Sequence, residues 1–349
     1  MNAIETEVLV VGAGPIGIEL AVALKQAGIP YVHLDAGQIG STIAWYAPQT
    51  PFFSSPERIA IAGVPLHTVD QTKATREEYL AYLRGIVEQF DLQIHTYERV
   101  VGIRRDPDET FSVTSRGNGR RRHWHTRNIV LAIGDMHRPR VLEVPGETLP
   151  HVSHYFGDPH TYFRRRVLIV GGRNSAIEAA VRCVRVGAQV TLSCRSAELD
   201  PSHIKFWLLP EIEGMIRDDR LTFLPDTAVR EIHSDMVVLD RLNAEADAKL
   251  SVEADFVLLL TGYEQDPELF IQAGVELWGP ARQPVVEEQT METNVPHLFI
   301  AGTAIAGTQS GAGTRHFIEN SHIHVDRILA ALTGTVAPTR EKTWDMLES

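Results

Sequence analysis

The chain has 349 residues, enough for about two domains, and 44% of them are apolar against 22% charged, so a buried core is readily supplied. A net charge of −12 argues against nucleic acid as a partner, and no apolar run approaches membrane-spanning length. Cys183 and Cys194 are the only cysteines and form no CxxC, so a disulfide framework is not indicated. The N-terminus carries Glu5 and Glu7, shows no leader and leads straight into an apolar run, and a reducing cytoplasm is the expected setting.

The first element is the apolar run Val8–Val11, which reads as a buried strand. It enters the turn Gly12-Ala13-Gly14-Pro15-Ile16-Gly17, then a helical pattern to about Ala27, stopped by Gly28. Tyr31–Leu34 reads as a second strand, ending at Asp35 and Ala36. Strand, glycine turn, helix, strand and acid make a dinucleotide-binding βαβ unit in its required order. Gly12 makes the tight turn, Gly14 lets the backbone approach a pyrophosphate, and Gly17 lets helix and strand pack closely. Pro15 and Ile16 open the helix, whose amides face the anion. Asp35 is placed to accept hydrogen bonds from ribose hydroxyls.

A helix is expected near Glu77–Phe90, followed by short alternating strands and a hairpin, "FSVTSR-GNG-RRRHWHT". Arg120–Arg122 read as a solvated edge. His123 and His125 would share one strand face with no carboxylate beside them, and no metal site is expected. "NIVLAIGD", residues 128–135, is a separate apolar strand running into Gly134.

Residues 167–196, "VLIVGGRNSAIEAAVRCVRVGAQVTLSCRS", align without gaps to the opening unit. Gly171 falls on Gly12, Ala176 on Gly17, and Cys194 on Asp35. Two such units imply two nucleotides, and two nucleotides suggest electron transfer between them. The second turn comprises Gly171, Gly172, Arg173, Asn174, Ser175 and Ala176. Arg195 follows where the first copy has its acid, and an arginine there attracts a ribose 2′-phosphate that an acid repels. The first site therefore favours the unphosphorylated ribose of FAD and the second favours NADPH, with Ser193 and Ser196 as further donors. Arg173 replaces the middle glycine. It either puts a cation beside the pyrophosphate or the 2′-phosphate, or forces the ligand outward.

"DFVLLLTGY", residues 255–263, is a strand running into Gly262, and "VPHLFIAGTA" another running into Gly302. A glycine-rich approach then leads to a helix whose N-terminus is expected near Gly313–His316, placed to stabilise negative charge on a reduced flavin. His322 and His324 would lie on different faces of that helix. His154 and His316 are the candidates for proton delivery. Cys183 reads as a buried helix residue, and Cys194 as a strand-end residue away from the chemistry.

These motifs, in this order, resemble the two-dinucleotide-domain flavoproteins of the low-molecular-weight thioredoxin reductase type. The similarity is greater to the YpdA-type bacillithiol disulfide reductases. It is carried by "GAGPIG", "QTPFFSSPERIAIAGVP", "HYFGDPHTYF", "GGRNSA", "KFWLLPEIE", "METNVPHLFIAG" and "FIEN", and it covers nearly the whole chain. The resemblance implies an α/β fold of two Rossmann-like domains, with an NADPH domain (139–263) inserted into an FAD domain (1–138 and 264–349). It also implies FAD, NADPH, a homo-oligomer, and a low-molecular-weight disulfide as acceptor. Gln49, Phe53, Ser54, Thr314 and Phe317 join the cofactor site on its strength. The family's cysteine after the Gly-Pro is replaced by Ile16, at the helix N-terminus. That departure raises direct attack by flavin, or a ferredoxin- or flavodoxin-like acceptor, as alternatives. "SHYFGDPHTYFRRRVLIVGG" loosely resembles a flavin monooxygenase segment, which is a further alternative. A redox-sensing protein that holds both nucleotides without turnover is the last.

Overall fold

The computed structural model describes residues 3–243, 248–308 and 316–338. They form two compact units, the second inserted in the first. The first comprises the described residues up to 44, 49–138 and from 263 onward; the second comprises 139–262 together with Trp45–Pro48. Both are α/β and Rossmann-like.

The first unit opens with β1 (Ile4–Val11), α1 (Pro15–Gln26) and β2 (Tyr31–Leu34). Pro15 stands at the first helical turn, where its missing N–H costs nothing, and Gly28 ends the helix at φ +69°. Helix α2 (Arg76–Gln89) starts at a reciprocal cap, Thr75 Oγ accepting from Glu78 N and Glu78 accepting from Thr75 N. Strand β3 (Ile94–His95) extends the parallel set, and β4 (Glu98–Arg105), β5 (Phe111–Gly117) and β6 (Arg120–Leu131) form an antiparallel meander. Asn118 and Gly119, both at positive φ, make the two-residue hairpin turn. The expected hairpin arm and the expected separate strand at 128–135 are one element, the 12-residue β6. Its residues Trp124–Leu131 pair with β1, and no turn residue interrupts the run.

In the second unit, β7 (Val152–Ser153), β8 (Arg166–Val170), α3 (Asn174–Arg185), β9 (Gln189–Ser193), α4 (Leu208–Arg217) and β10 (Thr222–Leu224) precede an antiparallel sheet. That sheet is β11 (Thr227–Ile232), β12 (Met236–Arg241) and β13 (Lys249–Glu253). Strand β14 (Phe256–Leu259) completes a parallel sheet of order β10-β9-β8-β14-β7. Trp45 packs edge-on against Tyr155 at 5.5 Å, and Arg182 donates to Pro48 O, which seats the short 45–48 segment in this unit.

The chain returns to the first unit with β15 (Leu298–Ile300) and α5 (Ile318–Thr333). Strand β15 pairs with Ile129–Leu131 of β6, so the outer edge of β6 is shared between β5 and β15. Alternation divides the core. Val8 and Val10 face α1 and α5, while Leu9 and Val11 face Trp124, Ile129 and Phe270. The second unit repeats this, with Val167 and Ile169 against α3 and Leu168 and Val170 against β12 and β14. Parallel strands covered on both faces account for their nearly continuous apolar runs. Among the described residues, no helix is long and apolar enough to cross a membrane.

Two surface expectations change. Arg122 is ion-paired with Glu98, a carboxylate only 3% exposed, so the 120–122 run is not simply solvated. His125 does have a carboxylate beside it: its Nδ1 lies 2.7 Å from Glu5 Oε2, brought from 120 residues away by the β1–β6 pairing. That hydrogen bond raises the His125 pKa. The stabilisation is therefore complete below the unfolded value of about 6.5 and is lost as pH rises through the folded value. Glu5→Gln should lower the melting temperature more at pH 6 than at pH 9, by a small amount since the pair is partly solvated. Thermal scans of both proteins at the two pH values check this.

Candidate functional site: two glycine turns

Gly12 has φ +106°, and its N–H donates to Leu34 O at 2.8 Å. A Cβ there would run into the Ala132 carbonyl, and one on Gly17 would run into the Gly12 carbonyl. These two glycines serve close backbone packing. Gly14 differs: it is the N-cap of α1, at φ −76°, and a Cβ on it would meet nothing within 4 Å. The helix has no side-chain cap and no acid in its first turn, so no capping side chain occupies its leading amides. A pyrophosphate fits that arrangement.

Asp35 holds the turn. Its Oδ2 accepts from Ala13 N at 2.5 Å and its Oδ1 from Gly37 N at 2.7 Å. Burial raises its pKa and those two amides oppose the rise. Each oxygen keeps a lone pair, so two ribose hydroxyls can still be accepted. Ala36 beside it is exposed. Beneath the turn, fully buried His33 lies 2.9 Å from Gly12 O through Nε2. Burial drives its pKa to about 4, so the neutral ring donates to that carbonyl.

Ile16 is 6% exposed and belongs to the core around α1 and α5. Gly302 lies beside this side chain: a Cβ built on it would be 3.4 Å from Ile16 Cβ. Gly302 N donates to His324 Nδ1 at 3.1 Å. His324 is held neutral, with a pKa lowered to about 3 chiefly by burial, and a neutral ring is what that bond requires. His322 turns the other way, to Glu19 Oε2 at 2.7 Å. Gln265, which sequence reasoning missed, donates through Nε2 to Gly134 O at 3.0 Å and Ala304 O at 2.8 Å. No local pattern marks such a residue.

Gln49 takes φ +61° and donates its N–H to Glu77 Oε2 at 3.0 Å. Phe53 O accepts from Lys73 Nζ, and Ser54 Oγ donates to Glu319 Oε1 at 2.8 Å. Helix α5 begins at Ile318, after Phe317, whose N–H donates to Asn320 Oδ1 at 2.8 Å. The expected start near 313–316 is thus corrected for His316, which precedes the helix; Gly313, Thr314 and Arg315 lie outside the described residues. His316 is half-buried with its ring 6.5 Å from that of His324, and burial lowers its pKa. His154 is in the other unit, 3.3 Å from Glu147, a carboxylate that also accepts from Leu142 N and Val144 N. The two proton-delivery candidates are therefore not brought together within one unit.

In the second turn, Gly171 has φ +145° and a Cβ on it would lie 2.5 Å from Leu260 O. A Cβ on Gly172 would lie 2.5 Å from Cys194 Sγ, so the thiol covers this turn where Asp35 clips the first. Arg173 is the exposed N-cap of α3. Asn174 Oδ1 accepts from Lys205 N at 2.8 Å, Ser175 is exposed and Ala176 is fully buried. Arg195 and Ser196 are exposed, and the Arg195 guanidinium has no partner among the described residues. Ser193 is corrected as a ligand donor: it is fully buried and spent on Thr227 Oγ1 at 2.8 Å. Gly262, at φ +100°, faces open space. Cys183 is buried in α3 with its thiol pushed up to about 12 by burial.

Two Rossmann-like units, each with a parallel strand that ends in a glycine turn at a helix N-terminus, define a protein built for two dinucleotides. A family model for pyridine nucleotide-disulphide oxidoreductases matches residues 9–302, and the chain belongs to that family. It is 33% identical to bacilliredoxin reductase Bdr of Bacillus subtilis, over 94% of this chain and 98% of that protein. The structure of bacillithiol disulfide reductase Bdr (YpdA) from Bacillus cereus matches with a TM-score of 0.88 at 33% identity, covering 95% of this chain and 99% of that one. A ferredoxin–NADP reductase of Ignicoccus hospitalis is 27% identical over 85% of this chain and 89% of its own.

The contrast between the glycines is testable. Gly14→Ala should leave the melting temperature of the nucleotide-free protein unchanged while weakening nucleotide binding at the first turn. Gly12→Ala should impair folding itself. Thermal melts with and without added FAD separate the two.

Proposed function

We propose that the chain is an NADPH-dependent, FAD-containing oxidoreductase that reduces a low-molecular-weight disulfide of the bacillithiol disulfide class. The observation that carries it is the difference between the two turns: Asp35 at the end of β2 and unpaired, exposed Arg195 after β9. An acid suits a free ribose and a guanidinium suits a 2′-phosphate. On this reading residues 1–138 and 264–349 hold FAD and residues 139–263 hold NADPH. FAD, when bound, supplies the two-electron relay from NADPH to the disulfide. The net reaction takes NADPH, one proton and a disulfide to NADP⁺ and two thiols.

The chain's own residues do the rest. Gly12, Gly14, Pro15, Ile16 and Gly17 present the helix amides to the pyrophosphate, and Asp35 with Ala36 receives the adenosine ribose. Gln49, Phe53, Ser54, Gly134, Gly302 and Phe317 line the remainder. Gly171 to Ala176 receive the NADPH pyrophosphate, with Arg173 at its edge; Arg195 and Ser196 take the 2′-phosphate, and Gly262 leaves room beside them. Identity to a bacilliredoxin reductase over nearly the whole chain supports the disulfide as acceptor.

No cysteine is assigned to the reaction. Ile16 has no sulfur, and both cysteines are buried in the second unit. A thiol with a pKa near 12 supplies almost no thiolate at neutral pH. Replacing Cys183 and Cys194 together by serine should leave disulfide-dependent NADPH oxidation within about threefold of the parent; loss of turnover with flavin reduction and fold intact would assign the chemistry to one of them. Arg195→Ala should weaken NADPH by about tenfold to a hundredfold, since a hydrogen bond to a charged group contributes about 1.5–3 kcal/mol. NADH use should change little, and equal use of both cofactors by the parent would contradict the assignment. The acceptor is tested by anaerobic reduction with NADPH, then reoxidation with disulfides, quinones and small electron-transfer proteins. Fast reoxidation by a small iron–sulfur or flavin protein, with none by disulfides, would replace the disulfide reading.

A further inference from the structure

Residues 49–64 have one helical turn, Pro56–Ile59, and otherwise run as loop, with Ala62 and Gly63 left-handed at φ +55° and +69°. A loop of this kind cannot satisfy its own backbone groups, and side chains from three helices do so. From α2, Tyr79 Oη donates to Ile59 O at 2.8 Å, while Tyr82 Oη accepts from Ile61 N at 2.7 Å and donates to Val64 O at 2.6 Å. From α1, Glu19 Oε1 accepts from Ala62 N at 3.4 Å. From α5, His322 Nε2 lies 3.1 Å from Arg58 O, and Ser54 Oγ donates to Glu319 Oε1 at 2.8 Å. Glu19 and His322 also meet each other, Oε2 to Nδ1 at 2.7 Å, and both are buried, at 5% and 9% exposure. Loop carbonyl, histidine, glutamate and loop amide thus form one closed chain of hydrogen bonds.

That geometry fixes how many protons the pair must carry. Arg58 O can only accept, so His322 Nε2 bears a proton. Of Glu19 Oε2 and His322 Nδ1 one must donate, so a second proton lies between them. The pair therefore holds two protons and is neutral overall, whether drawn as imidazolium and carboxylate or as imidazole and carboxylic acid. Burial favours that neutral sum. Removing one proton leaves a buried negative charge and sets a lone pair against either Arg58 O or Glu19. We infer that Glu19 and His322 are positioning residues: a two-proton clamp that fixes residues 58–62, and through them the flavin-lining residues Gln49, Phe53 and Ser54, so that flavin affinity falls when the pair gives up a proton at alkaline pH. This inference rests on the reading of the first unit as the FAD site. The other titratable groups packed around the clamp are Tyr79, Tyr82, Arg58, Glu319 and His324. Burial raises the Tyr82 pKa, and His324 is already neutral, so neither changes charge as pH first rises above neutral.

Glu19→Gln separates the proton count from the contacts. Its amide nitrogen can donate to His322 Nδ1, its oxygen can accept from Ala62 N, and a neutral ring still donates to Arg58 O. Every bond is kept, with no proton left to lose between neutral and alkaline pH. The full chain, stripped of flavin, is titrated with FAD from pH 6 to pH 10 as the parent, Glu19→Gln and His322→Leu. Nitrogen NMR of the His322 ring is recorded on the flavin-free parent over the same range. Parent affinity should fall by about tenfold or more as pH rises, the worth of one buried hydrogen bond left unmade. Glu19→Gln should match the parent at neutral pH within about threefold and stay level, and His322→Leu should be weak throughout. The ring should carry a proton on Nε2 at pH 6 and share a second with Glu19, which is lost as the affinity falls. A level profile in the parent, or the same fall in Glu19→Gln, would overturn the clamp, and those two proteins decide it even if His322→Leu does not fold. A His322 ring with no proton on Nε2 at pH 6 would also overturn it, with or without flavin. A parent that binds no FAD but shows the two-proton ring would overturn the reading of the first unit as the FAD site and leave the clamp as a support of the 58–62 loop alone.

Discussion

The first unit depends on one close approach, that of the Gly12 backbone to Ala132 at the end of β6. Strands β1 and β6 run parallel over their full pairing and both end there. With no Cβ at Gly12 the chain can turn sharply between them, and α1 starts against the sheet. Three further groups lock the turn: Leu34 O on the Gly12 amide, His33 on its carbonyl and Asp35 on the Ala13 amide. All three come from β2 and the residue that follows it, so the strand register and the turn specify each other. A one-residue slip of β2 would carry the His33 and Asp35 side chains to the wrong face.

The second unit solves the same problem with different residues, and the differences bear on what each turn can hold. Gly171 approaches Leu260 O as Gly12 approaches Ala132 O. Where Asp35 clips the first turn with a carboxylate, Cys194 lies against the second with a thiol, which carries no charge to repel a phosphate. The exposed charged group at that strand end is Arg195. The thiol's packing against Gly172 is reason enough for a small, weakly polar residue at position 194, with no redox role needed.

The absence of sulfur at position 16 has a structural counterpart. Ile16 fills the space between α1 and Gly302, and the Gly302 amide is held by a histidine that burial keeps neutral. The branched side chain is thus integrated in the core around α5.

Much of this was legible in the sequence because it is local. A glycine turn, a proline at a helix start, an alternating hairpin with Asn-Gly, and the βαβ unit that the chain repeats each express constraints between residues within about thirty positions of one another. The identities of Asp35 and Arg195 carry their chemistry without any tertiary detail. What only the tertiary structure decided are matters of proximity across the chain. Ser193 reads as a free donor until Thr227 is placed against it, and Ile16 as a helix-end residue until Gly302 is placed beside it. Glu5 finds His125, Gln265 bridges two strand ends, and His322 meets Glu19, all through pairings far apart in sequence. Whether a polar group is available or already satisfied is settled by what packs on it, and no periodicity in the chain records that.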